Sequence, residues 1–167
     1  MTGSTLTGER TDLLTTLRLH RGFLRFTAEG LDDEPARTRS TVSVLTIGGL
    51  IKHVATTEER WMRFAVGGAA EMEREPVDWL DQHRMRPDET LTGLLDRYAA
   101  VATHTDQLIT DLPDLDTAHP LPEAPWFEPG ASWSVRRVVL HLIAETAQHA
   151  GHADIIRESI DGQQTMG

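Results

Sequence analysis

No cysteine occurs anywhere in the 167 residues. That absence excludes disulfides, thiolate metal sites and a cysteine nucleophile, and it fits a reducing cytoplasm, the location the sequence leads us to expect. Any thiol chemistry has to bring its thiol from outside. Lysine is nearly absent as well, with Lys52 alone among 16 basic residues. Acidic residues number 26, which leaves a net charge of −10. A chain so charged repels phosphate backbones, and without a basic stripe or an aromatic RNA-binding motif nucleic acid is not an expected partner. No apolar run approaches the ~20 residues that span a bilayer, and the N-terminal segment MTGSTLTGER lacks the basic and apolar regions of a signal peptide. No membrane partner is expected.

The length suits one domain, residues 1–167. At this size a chain buries roughly two-thirds of its unfolded surface, enough for a core without covalent staples. Strand-like alternation is lacking, and four segments carry helical periodicity. The first runs from about Glu9 to Glu29, with Thr7 as its cap and Gly30 as its stop. The second runs from about Ile47, capped by Thr46, to Val66, where Gly67 and Gly68 end it. The third spans about Leu91 to Leu112 and is closed by Pro113; the fourth runs from Val135, capped by Ser134, to Ile160 before Gly162. The expected fold is all-α, a four-helix bundle. Its connections at residues 30–46, 67–89 and 113–133 exceed the roughly two to eight residues a bundle needs. The first could cross over along the bundle and the second could hold a short helix. The third contains five of the eight prolines. Long loops of this kind wall sites or pack bundle ends.

The fourth helix carries the chemical signal. At ~100° per residue, Val138, Leu142 and Ile156 form one apolar stripe, and Glu145 and His149 fall within ~20° of its centre. A carboxylate aimed at a core must be paired, protonated or bound to a metal. The i,i+4 spacing stacks Glu145 and His149 one turn apart, within reach of a single ion. His53 is the candidate third ligand, on a stripe of the second helix that reads Leu50, His53, Thr57, Trp61, Phe64. Two nitrogens and one carboxylate suit zinc first, with nickel, iron or manganese as alternatives, and leave a position open for substrate. Spacing alone leaves the plainer assignments open: His53 as a hydrogen-bonded core residue, and Glu145 paired with Arg18, Arg21 or Arg25. His152 and His141 lie nearer the stripe's edge, as partners that orient a ligand, as a fourth ligand or as edge histidines. His20, His83, His104 and His119 read as solvated surface. The zinc-protease motif HExxH is absent. So is any Glu-x-x-His, which excludes a carboxylate-bridged di-iron bundle.

Three stretches resemble a known family. WSVRRVVLHLIAETAQHAGHADIIRESIDG (133–162) resembles the last helix of the DinB-like superfamily, in its actinobacterial subgroup related to the mini-circle protein and to mycothiol-dependent enzymes. GGLIKHVATTEERW (48–61) resembles the metal-bearing second helix, and PLPEAPWFEPG (120–130) the loop before the last helix. With TLTGERTDLL (5–14), the similarity covers nearly the whole chain. It implies an up-down-down-up bundle with a long crossover and one metal bound by His53, Glu145 and His149. Many relatives have histidine where Glu145 stands; the mycothiol-dependent maleylpyruvate isomerase has glutamate, as here.

The resemblance also implies a cofactor or co-substrate, a low-molecular-weight thiol such as mycothiol, acting on a small electrophile as an S-transferase or isomerase. Trp61 with Trp126 and Phe127 would wall the pocket, and His152 or His141 would orient a ligand. The C-terminal domain that some mycothiol enzymes carry is lacking, which weighs against a full isomerase. Alternatives are a non-catalytic, stress-associated protein that binds a metal or ligand, and a metal-dependent hydrolase. Relatives often form two-fold dimers, so a homodimer is a further expectation.

Overall fold

The computed structural model describes residues 8–78 and 81–165. Four long helices carry the fold: α1 (Gly8–Phe26), α3 (Ile47–Met72), α4 (Leu91–Asp111) and α5 (Val135–Asp161). A one-turn helix, α2 (Asp33–Arg37), follows α1, and strands β1 (Ala118–Pro120) and β2 (Ser132–Ser134) precede α5. No helix among the described residues is long and apolar enough to cross a membrane. The expected caps form where short oxygen-bearing side chains precede the helices. Thr46 accepts from the Gly49 N–H and Ser134 from the Arg137 N–H, both at 3.1 Å. Thr90 caps α4 in the same way. Thr7 lies outside the described residues.

Core membership gives the helix directions. At one end of the bundle Leu24 of α1, Leu50 and Ile51 of α3, Leu91 and Tyr98 of α4, and Ala153 and Ile156 of α5 pack together. At the other end Leu13 and Leu17, Trp61 and Phe64, Ile109, and Val135, Val138 and Leu142 do so. α1 and α5 therefore run one way and α3 and α4 the other, an up-down-down-up bundle with the all-α DinB-like architecture. α3 and α4 are parallel neighbours, so the chain must travel back along the bundle between them. It does so in residues 73–90, and this segment is the crossover rather than 30–46. Residues 30–46 join helix ends at the same pole and need only cap it, which α2 helps to do.

Three further expectations are corrected. α3 does not end at Gly67: Gly68 takes φ +76° and the helix resumes through Met72. A side chain at position 68 would meet the ring of His119, which packs over this kink. The proline-rich loop holds a small antiparallel hairpin, in register Ala118↔Ser134, His119↔Trp133 and Pro120↔Ser132. With three-residue strands, it is too short for alternation to be visible in sequence. In 67–89 the described residues form turns and no helix after Met72, and Trp79 lies outside them.

Buried polar struts lock the helices. Arg21 of α1 holds both carboxylate oxygens of Glu58 on α3, at 3.1 and 2.5 Å, and reaches Asp106 of α4 at 2.7 Å. Arg157 of α5 donates to the carbonyls of Thr27 and Glu29, both at 2.8 Å, satisfying groups left beyond the end of α1. Arg10 does the same for Leu112 beyond α4, at 2.6 Å.

Candidate functional site

Midway between the two core clusters, α3 and α5 face each other with polar side chains. His53 projects from α3 and is 9% exposed. Glu145 and His149, one turn apart on α5, meet it. His149 Nε2 lies 3.4 Å and His53 Nε2 4.0 Å from Glu145 Oε2. The rings of His53 and His149 stand edge to face, 4.7 Å apart. The structure thus brings together the three residues singled out in sequence, with one donor atom of each within 4.8 Å of the others. The arginine pairing of Glu145 does not occur, because Arg21 spends its guanidinium on Glu58 and Asp106.

The charge state of the cluster follows from its surroundings. Burial lowers the His53 pKa to about 4, so the imidazole is neutral at pH 7. Gln82 Oε1 lies 3.0 Å from His53 Nδ1. That acceptor favours the tautomer with the proton on Nδ1, which leaves Nε2, on the Glu145 side, able to act as a metal donor. The Glu145 pKa is lowered, first by its hydrogen bond with His149, so the carboxylate is ionised. His152 Nδ1 lies 3.3 Å from His149 Nδ1, one turn along the helix. His141 packs edge-on against Trp61 and Trp133 at 4.9 and 5.1 Å, and its burial lowers its pKa.

The donor set fits a divalent ion. Tetrahedral bonds of ~2.1 Å separate neighbouring ligand atoms by ~3.4 Å. The His149–Glu145 distance of 3.4 Å meets that spacing and the His53–Glu145 distance of 4.0 Å is slightly wider. One anionic and two nitrogen donors are compatible with a divalent metal, and three protein ligands leave a position for another molecule.

A cleft of about 540 Å³ leads to the cluster from the proline-rich loop. His53, Thr57, Gln82, His141 and Glu145 line its floor, and Trp61, Pro122, Pro125, Trp126, Phe127 and Trp133 its walls. Trp61 is buried and stacks on Trp133 with ring centres 4.7 Å apart. Phe127 stands edge-on to both. Trp126 is 76% exposed, so it stands at the rim of the cleft rather than inside it.

Four residues at the site escape the sequence reading. Gln82 and His83 sit in the crossover, where no periodicity points them anywhere. His83 is half-buried and stacks on His53 at 4.1 Å, so it is not solvated surface. Close approach at Gly49 holds this loop in place: a Cβ there would come within 2.0 Å of the His83 carbonyl oxygen. Trp133 reaches the cleft because the hairpin turns it towards α3, and Arg60 because it lies one turn from Thr57. His119 is likewise half-buried, against the Gly68 kink. His20 is half-buried against Phe23, and only His104 is exposed as expected.

Comparison with known proteins follows the same lines. A solved structure of a conserved protein from Enterococcus faecalis superposes with a TM-score of 0.65 over 95% of this chain and all of that one, at 14% identity, a likeness of fold. No protein of curated function matches. The sequence model of the mycothiol-S-transferase family matches residues 12–162. This chain belongs to the mycothiol-S-transferase family.

Proposed function

We propose that the protein is a metal-dependent thiol S-transferase: His53, Glu145 and His149 hold one divalent ion, zinc by donor preference, and the adjoining cleft receives mycothiol or a similar thiol together with a small electrophile. The observation that carries this reading is the His-Glu-His cluster opening onto a cleft of about 540 Å³ in a chain of this family. A divalent ion bound there supplies Lewis acidity, which lowers the pKa of a thiol and favours the thiolate at neutral pH. The chain's own residues supply the rest. Glu145 offsets one of the two positive charges, and Gln82 and His152 orient the imidazoles of His53 and His149. The aromatic walls exclude water from the reacting groups. In the transfer a sulfur–carbon bond forms while a leaving group departs with its electron pair, or the thiol adds across an activated double bond whose far carbon takes the proton. Because the chain has no cysteine, it offers no thiol to compete with the incoming one.

Metal content and mycothiol transfer to monochlorobimane, measured for the wild type and His149→Ala, test this reading. One equivalent of metal and thiol-dependent turnover are expected in the wild type, with both lost in the variant. Bound metal without turnover on a panel of electrophiles would leave only a binding protein. A metal-free protein purified from metal-replete cells would remove the site itself.

A further inference from the structure

The walls of the cleft differ in chemistry from its floor, and the difference selects a class of electrophile. On the loop side the surface is built from Pro122, Ala124, Pro125, Trp126, Phe127 and Trp133. The proline-rich loop holds these rings as an edge-to-face ladder, with Trp126 6.1 Å from Phe127 and Phe127 5.8 Å from Trp133. Trp126 ends the ladder with 76% of its surface exposed. A tryptophan left open to water at the mouth of a cleft is an apolar platform with one face unfilled.

Charge in the cleft runs the other way from what an anionic ligand needs. With Glu145 given to the ion, the carboxylates left in the cleft are Glu73 and Glu123, against one arginine, Arg60. Glu73 already acts on the Arg60 guanidinium, and Arg60 also donates to the Glu75 carbonyl at 3.2 Å. A dicarboxylate seated on the loop side would thus meet Glu73 and Glu123 beside an apolar wall, with one arginine to receive it. Carbohydrate rings also stack on tryptophan, but their hydroxyls need partners, and prolines, an alanine and a phenylalanine offer few.

The geometry points to an uncharged, planar, apolar electrophile, seated against Trp126, Phe127 and Trp133 with its reactive carbon turned towards the His53–Glu145–His149 cluster. This inference rests on the transferase reading for the word electrophile, and on the cleft alone for the class of ligand.

Calorimetric titration of the metal-loaded full chain with 2-naphthol and with 2-naphthoate compares one ring system with and without charge. The naphthol should bind at least about tenfold more tightly. Trp126→Ala should weaken it about fivefold and Trp126→Phe should largely restore it, since an exposed side chain can be changed without disturbing the core. Equal or tighter binding of the naphthoate overturns the inference, as does naphthol binding indifferent to Trp126→Ala. Displacement of naphthol by inositol or glucosamine would overturn it too, by assigning the wall to a sugar. Turnover separates this inference from the function it builds on. Naphthol binding without thiol-dependent turnover on any electrophile upholds the ligand class and removes the transfer reaction. Thiol transfer to maleate in preference to 1-chloro-2,4-dinitrobenzene upholds the reaction and removes the ligand class.

Discussion

Gln82 is the residue whose contribution is easiest to isolate. Its side-chain oxygen is a hydrogen-bond acceptor placed against His53 Nδ1, and it favours the tautomer in which Nε2 is free to bind. Partners of this kind set the tautomer and basicity of a ligating histidine, and their loss typically costs about 10–100-fold in metal affinity. Gln82→Ala is therefore expected to weaken zinc binding by at least about tenfold in competition with a chromophoric chelator. Gln82→Glu, which keeps an acceptor at the same place, should retain most of it. Unchanged affinity in Gln82→Ala would show that packing between α3 and α5 orients His53 unaided.

Two elements outside the long helices hold the site together. The crossover seats Gln82 and His83 because Gly49 lets the His83 carbonyl approach the start of α3. Gly49→Ala would put a methyl group 2.0 Å from that oxygen, so the loop must move. The expected cost is about 1–3 kcal/mol in urea denaturation, with weaker zinc binding as the loop shifts. The hairpin loop is tied down by Arg136 at the start of α5, which donates to both Glu9 of α1 and Asp116 beside β1. Arg136 hydrogen bonds lower the pKa of Glu9 below 4.5 and that of Asp116 below 3.8. A carboxyl more acidic in the folded state contributes stability that is present above its unfolded pKa and lost as pH falls through its folded one. Thermal unfolding followed from pH 7 down to pH 3 should thus show a loss that begins near pH 4.5 and is smaller in Arg136→Ala. Parallel curves for the two proteins would count against the tie.

Across the whole molecule, stability and site are linked through α3 and α5, because the proposed ion would bridge them midway between the two core clusters. A ligand that binds only the folded state adds about 4 kcal/mol when present at roughly a thousand times its dissociation constant. For a chain of this size that corresponds to a melting temperature about 10 °C higher. Calorimetry with zinc and with a chelator should show that gap in the wild type and its disappearance in His149→Ala. The Arg21–Glu58 pair works independently of the metal. Glu58→Ala leaves a buried guanidinium with Asp106 as its remaining acidic partner, and should lower stability by roughly 3 kcal/mol while leaving one zinc per chain. Loss of zinc in that variant would show that the buried ion pair also aligns the ligand helices.

Helical periodicity and end signals made the four long helices legible from the residues alone, and an inward carboxylate one turn from a histidine made Glu145 and His149 legible as a pair. Both are local regularities: they repeat within one helix and need no knowledge of what lies opposite. That Arg21 would take Glu58 rather than Glu145 was decided by which helix faces which, and so was the meeting of His53 with α5. Gln82, His83 and Trp133 belong to segments without a period, so they reach the site only when the parallel course of α3 and α4 draws the crossover along the bundle and a short hairpin turns its tryptophan inward. Residues 30–46 were open to the same crossover role until the packing of the helix ends assigned it to 73–90. Sequence by itself determined the helices and the chemistry each could carry. Tertiary structure decided which side chains share a site, because contacts between distant segments depend on the whole packing and leave no periodic trace in any one of them.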